Sequence, residues 1–114
     1  MEKDKAIKSE IRKLNKQYAN IDKTKYPSAD KLIQEIAFMK ITLDELKAKI
    51  NSEGAIVEGV NGNGFVVKSE NPAQKSYNIM IKNYNAVNRS LNDMLPQDAE
   101  TADELLDFLR DHRG

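Results

Sequence analysis

Residues 71–96 read NPAQKSYNIMIKNYNAVNRSLNDMLP, and the reading of this stretch decides the fold. Asn71 has a side chain able to accept the free backbone NH groups of a helix start. Pro72 suits the first helical position, and Gln74 stands where a capping partner falls. Behind that start, Tyr77, Met80, Tyr84, Val87, Leu91 and Met94 recur at alternating steps of three and four, and Ile81 and Leu95 widen the same face. Pro96 has no backbone NH and restricts the residue before it, so the helix is predicted to stop at Leu95. About 24 residues at ~1.5 Å each give a rod of roughly 36 Å. A small domain does not cover so long an apolar stripe alone; it needs a second long helix or another copy of the chain.

Upstream of this helix the pattern changes in kind. Ile56, Val57 and Val60 lead into Asn61-Gly62-Asn63-Gly64, and Phe65, Val66 and Val67 follow. Two β-branched runs around a doubled Asn-Gly predict a hairpin, placed at 55–69. An isolated hairpin is marginal in water, so this one is expected to lie against the helices or to add to a neighbour's strands. Gly59, Gly62 and Gly64 do not make a phosphate cradle, because no Lys-Ser or Lys-Thr follows them.

Two more helices precede the hairpin. Leu32, Ile36, Met39, Leu43, Leu46 and Ile50 step by four and three, after Pro27 and a potential cap at Ser28, and Gly54 is a natural terminator. Thr42 and Asp44 could mark a fresh start, which would split this helix near Lys40. A first helix is predicted from Lys5 to Ile21, where Ile7, Ile11, Leu14, Tyr18 and Ile21 form a narrow stripe. Lys8, Arg12 and Lys16 share one flank at steps of four, with Lys5 and Lys13 near it and Glu2, Asp4 and Glu10 interspersed. Such a flank is either a solvated face or a phosphate-facing edge of a nucleic-acid-binding helix. After Pro96, Thr101 and Glu104 have capping-box spacing. Leu105, Phe108 and Leu109 then support a short helix with an acidic outer face, which either docks on the long pair or serves as a docking peptide for a larger partner.

The fold class that follows is mainly α: antiparallel long helices, one short β-hairpin between helices two and three, and a short C-terminal helix. The chain divides into a basic N-terminal helix in 1–26, a helical core with its hairpin in 27–96, and an acidic C-terminal helix in 97–114. Its 114 residues contain 18 Lys or Arg and 18 Asp or Glu, so composition alone carries no nucleic-acid signal. The distribution is uneven. Residues 1–31 hold nine Lys or Arg against five acids, and residues 96–114 hold two against six. There is no cysteine, hence no disulfide framework or thiolate metal site. No apolar run reaches a membrane span, and the start of the chain lacks the apolar segment of a signal peptide, so the expectation is an intracellular protein with no membrane partner.

Catalytic chemistry is poorly supplied. His112 is the single histidine, next to Arg113 near the end of the sequence, and it has no cysteine or second histidine to share a metal with. Asp44 with Glu45, and Asp103 with Glu104, are adjacent in sequence, so on a helix they point apart. The serines have no base partner. We therefore expect no catalytic residue, no metal and no cofactor: a binding or assembly component rather than an enzyme.

One resemblance sharpens this. Thr42-Leu43-Asp44-Glu45-Leu46-Lys47, Ile50, Gly54, the Gly/Asn-rich turn, Lys68-Ser69-Glu70-Asn71-Pro72-Ala73, Tyr77, Leu91 and Leu95-Pro96 together resemble a class of phage terminase small subunits. In that class a turn leads into an (R/K)-x-(E/N)-N-P-A start and a long helix ending before a proline. The resemblance covers about residues 40–110. It implies a non-enzymatic, ring-like homo-oligomer that recognises double-stranded phage DNA in the host cytoplasm and delivers it to the large ATPase/nuclease subunit. Asn71 and Pro72 would fix the helix start, while Leu43, Leu46, Tyr77, Tyr84, Leu91 and Leu95 would build the oligomer or the core. DNA contact would fall to Lys5, Lys8, Arg12, Lys13 and Lys16, and large-subunit contact to Leu105, Phe108 and Leu109. Without the resemblance, the same features fit a helical oligomeric adaptor with no nucleic-acid role, or a small transcriptional or antitoxin-type regulator.

Overall fold

The structure, a computed structural model, describes residues 1–96; the helix expected in 97–114, with Leu105, Phe108 and Leu109, lies outside them. The order is α1 (Glu2–Gln17), α2 (Ala29–Glu53), β1 (Ile56–Val60), β2 (Val66–Glu70) and α3 (Pro72–Met94). The architecture is mainly helical, with an antiparallel hairpin between the second and third helices, as the sequence predicts.

Asn71 closes the junction of hairpin and helix. Its side-chain oxygen accepts from the Ala73 NH at 3.0 Å and caps α3. Its side-chain amide donates to the Gly54 carbonyl at 2.8 Å, and its backbone NH donates to the Ala55 carbonyl at 2.8 Å. The end of α2, the base of the hairpin and the start of α3 thus meet on one residue, which is only 2% exposed. Pro72 occupies the first turn as expected. Gln74 does not complete a capping box, because the Asn71 NH it would reach is already taken by Ala55; its side chain donates to Asn78 instead. At the other end Leu95 is extended, with φ −67° and ψ 140°, as the following Pro96 requires.

Helix α2 is continuous and lies between its neighbours. The break considered near Lys40 is absent: Lys40 pairs with Asp44 at 2.6 Å across that turn, and the Thr42 hydroxyl makes no hydrogen bond, so it caps nothing. Ser28 sits at the N-cap position with helical φ and ψ and makes no side-chain cap bond. Gly54 ends the helix at φ 92°, where a side chain would be strained, and donates its NH to the Ile50 carbonyl.

Helix α1 differs from expectation at both ends. It starts at Glu2, where Glu2 and Asp4 complement the positive end of the helix dipole. It ends at Gln17, because the backbone turns at Tyr18 (φ −107°, ψ 24°) and the Ile21 NH bonds back to the Tyr18 carbonyl. That turn keeps Ile21 buried without extending the helix.

The core joins Leu14, Tyr18 and Ile21 to Ala29, Ile33, Ile36 and Ala37 of α2, and to Leu91 of α3. Both outer helices run antiparallel to α2. Lys3 near the start of α1 pairs with Glu45 at 2.7 Å, and Asn71 binds Gly54. Tyr18 ties the outer helices together, its hydroxyl within hydrogen-bond reach of the side-chain oxygens of Asn88 (3.2 Å) and Asn92 (3.0 Å). The three-helix packing covers only part of the length. Toward the hairpin, Leu46, Ile50, Tyr77, Met80 and Ile81 are only half-buried. The radius of gyration, 20.8 Å, is well above the roughly 13 Å of a compact domain of this size.

Asn71→Ala should lower stability by about 2 kcal/mol, because it removes a buried cap and leaves the Gly54 carbonyl unpaired. Asn71→Asp should cost at least as much at neutral pH, because it keeps the cap but buries a carboxylate oxygen against that carbonyl. Urea midpoints of the three proteins check this; equal midpoints would refute it. Burial, with a smaller effect from Tyr84, raises the pKa of Tyr18 above its ordinary 10.0. The folded state therefore favours the neutral phenol, and this contribution is complete below pH 10 and lost as the pH rises through the raised value. Tyr18→Phe should be less stable by about 1 kcal/mol at neutral pH, and the gap should narrow in unfolding curves taken above about pH 10.

Candidate nucleic-acid interface and assembly surface

At about 100° per residue, Ile7, Ile11, Leu14 and Tyr18 point to one side of α1 and toward α2. Lys5, Lys8, Arg12 and Lys16 then fall within a sector of about 80° on roughly the opposite side, with Lys13 beside it. All five are exposed. Arg12, Lys13 and Lys16, with Ser9 and Asn15, line a shallow hollow of about 360 Å³ that has no carboxylate in its wall.

Of the interspersed acids, Glu2 stands three residues before Lys5 and Asp4 four before Lys8, so both border the start of this face, and only Glu10 is turned from it. Glu10 lies toward α2, near enough to Lys40 to add to the rise in its pKa, which comes first from the Asp44 hydrogen bond. None of the five cations makes a salt bridge to a described residue, whereas Lys3, Lys23, Lys40 and Lys49 each have one. Like charges at steps of four, Lys8 to Arg12 and Arg12 to Lys16, destabilise an isolated helix by a few tenths of a kcal/mol each, a cost that Asp4, four residues before Lys8, partly offsets.

The hairpin is the second surface. Ile56 pairs with Glu70, Glu58 with Lys68 and Val60 with Val66, all on one face; Val57, Gly59 and Val67 lie on the other. The tip is held from within. The Asn61 side chain accepts from the NH groups of Asn63 and Phe65, and Gly64 takes φ 84°. Of the two placements expected for it, packing on the helices does not cover the face of Ile56, Val60 and Val66 or the tip: Ile56 is 59% exposed, Val60 71%, Phe65 69% and Val66 66%. Both outer edges are unpaired and the face of Ile56, Val60 and Val66 is open among the described residues, while Val57 on the other face is half-buried. The sequence identified the hairpin but not its open face, since alternating apolar residues look the same against a helix or a partner.

The remaining candidates separate. Leu91 is 0% exposed and Leu43 6%, so both belong to this chain's own packing. Tyr84 and Leu95 are half-buried against the core, and Leu46 and Tyr77 are half-buried on the thinner part toward the hairpin. Among the described residues no group of three His, Cys, Asp or Glu could hold a metal ion, and no helix is long and apolar enough to cross a membrane.

Compared with models of protein families, with curated proteins and with solved structures, the chain matches none.

The open hairpin generates a test of assembly. Val60 and Val66 are paired and exposed, so Val60→Thr with Val66→Thr keeps β-propensity and removes apolar area. The double variant should keep the helical circular-dichroism signal and show a lower mass by light scattering at equal concentration. An unchanged mass would place any self-association elsewhere.

Proposed function

We propose that this chain is a non-enzymatic small subunit of a phage terminase. On this reading it binds double-stranded viral DNA as a homo-oligomer and delivers it to the large ATPase/nuclease subunit. The observation that carries the DNA-binding part is the α1 face, where Lys5, Lys8, Arg12, Lys13 and Lys16 are exposed and lack carboxylate partners among the described residues. Cations arrayed along a helix bind phosphates and fix register without reading bases. About five such cations per chain give weak, salt-sensitive binding, and joining several copies multiplies it. The half-buried stripe of α2 and α3 and the open hairpin supply surface for that joining. Asn71, Pro72 and Ala73, the centre of the resemblance, act as a structural joint that sets α3 against α2. Leu105, Phe108 and Leu109 remain the proposed docking residues for the large subunit.

The chain's zero net charge and apolar hairpin favour a second reading, a helical oligomeric adaptor without a nucleic-acid role. Salt dependence separates the two. Lys8→Ala, Arg12→Ala and Lys16→Ala together should leave the fold intact and weaken binding to duplex DNA. The slope of log affinity against log salt should become shallower by about 0.9 for each phosphate that a chain no longer neutralises. If the parent chain does not bind DNA at low salt while its mass shows an oligomer, the adaptor reading stands instead.

A further inference from the structure

The proposed DNA face has a competitor in its own chain. We propose that the carboxylates of residues 97–114 dock on the basic face of α1 in the same molecule, where they compete with phosphate. This rests on α1 being the phosphate-binding face.

The geometry of the exit is the first argument. Tyr18, one residue past the end of α1, is hydrogen-bonded to Asn88 and Asn92 in the last turns of α3. Leu95 and Pro96 line a hollow of about 390 Å³ with Asn20, Asp22, Lys25 and Tyr26 from the turn that follows α1. The chain therefore leaves the described fold at the end of α1 that carries Lys16, on the side that Tyr18 faces, and must pass around the helix to meet the basic face. Asp22 and Asp93 line that exit as well and repel carboxylates from it.

Charge is the second. Residues 1–31 carry a net +4 and residues 96–114 a net −4, while the stretch between them balances at seven Lys or Arg and seven acids. Among the described residues, α1 has the only helix sector with four cations and no acid. Lys75, Lys82 and Arg89 of α3 stand singly, each seven residues from the next.

Reach is the third. Eighteen residues extend up to about 60 Å at ~3.3 Å each, and α1 is about 24 Å long, so the segment spans every cation on the face. A tether this short gives a millimolar effective concentration, enough for weak ionic pairing to compete with DNA at low salt.

Two readouts on the full chain test this. A zero-length carbodiimide reagent joins carboxylates to lysine amines that touch them. In a mixture of isotope-labelled and unlabelled protein, cross-links from Asp98–Asp111 should concentrate on Lys5, Lys8, Lys13 and Lys16 of the same copy. An even spread that includes Lys47, Lys68, Lys75 and Lys82, or links found only between copies, would overturn the proposal. In the second readout, Asp98→Asn, Glu100→Gln, Asp103→Asn, Glu104→Gln and Asp107→Asn are combined. The variant should bind duplex DNA about tenfold more tightly at about 0.05 M salt, with the gap shrinking as salt screens the tethered carboxylates. Equal affinities would overturn the competition. If neither protein binds DNA, the proposed function fails, and the cross-links alone decide whether the segment docks on α1.

Discussion

The structure depends on one buried amide. A fold in which α2 and α3 lie antiparallel needs a connection that leaves α2, makes a hairpin and returns to the same point. Asn71 makes that return specific. Its oxygen caps α3, its amide holds the end of α2 at the Gly54 carbonyl, and its backbone NH joins the base of the hairpin through Ala55. Only an amide both donates and accepts there. An Asp would set a carboxylate oxygen against the Gly54 carbonyl, and a Ser would not reach both partners. The conformational freedom of Gly54 at φ 92° completes the joint.

With the joint fixed, the layout of the core follows from helix lengths. The 16 residues of α1 cannot cover the 25 of α2, and its first turns are held at the edge by Lys3, which pairs with Glu45 and lies 4.9 Å over the Phe38 ring. Full burial is therefore concentrated where all three helices meet, around Leu14, Tyr18, Ile33, Ile36 and Leu91. Toward the hairpin only two helices remain, and their stripes stay half-open. The same difference in length produces a well-packed end and an apolar end in one chain.

Much of the fold was legible because its signals are local. The spacing from Tyr77 to Leu95, the proline that follows, the glycine at 54 and the Asn-Gly tip each act within a few residues, and each structural feature appears where it was expected. The misreadings involve competition that sequence spacing does not register. Gln74 has no capping role because the Asn71 NH has a better-placed carbonyl at Ala55. Ile21 continues the stripe of α1 in sequence, yet it reaches the core from a turn. The basic face was legible as a set of residues. That Glu10 points away from it became visible only when α2 showed which side of α1 is covered. The hairpin's surroundings were illegible for a similar reason, since alternation reports that a strand has a partner and never which one.

The placement of the two open surfaces bears on how such a chain could work. The hairpin lies at the end where α2 stops and α3 begins, while Lys16, Tyr18 and Pro96 gather at the other. If copies meet through their hairpin ends, their basic faces are left free, and binding of one ligand by several weak faces becomes an intramolecular problem after the first encounter. Zero net charge is then no obstacle, because affinity depends on cations placed together rather than on the chain's total. The negative end has a matching logic. If the acidic segment competes for the basic face as proposed, it would discourage isolated chains from binding stray polyanions, while an assembled array on a long duplex with many phosphates would displace each segment more readily than a single chain would.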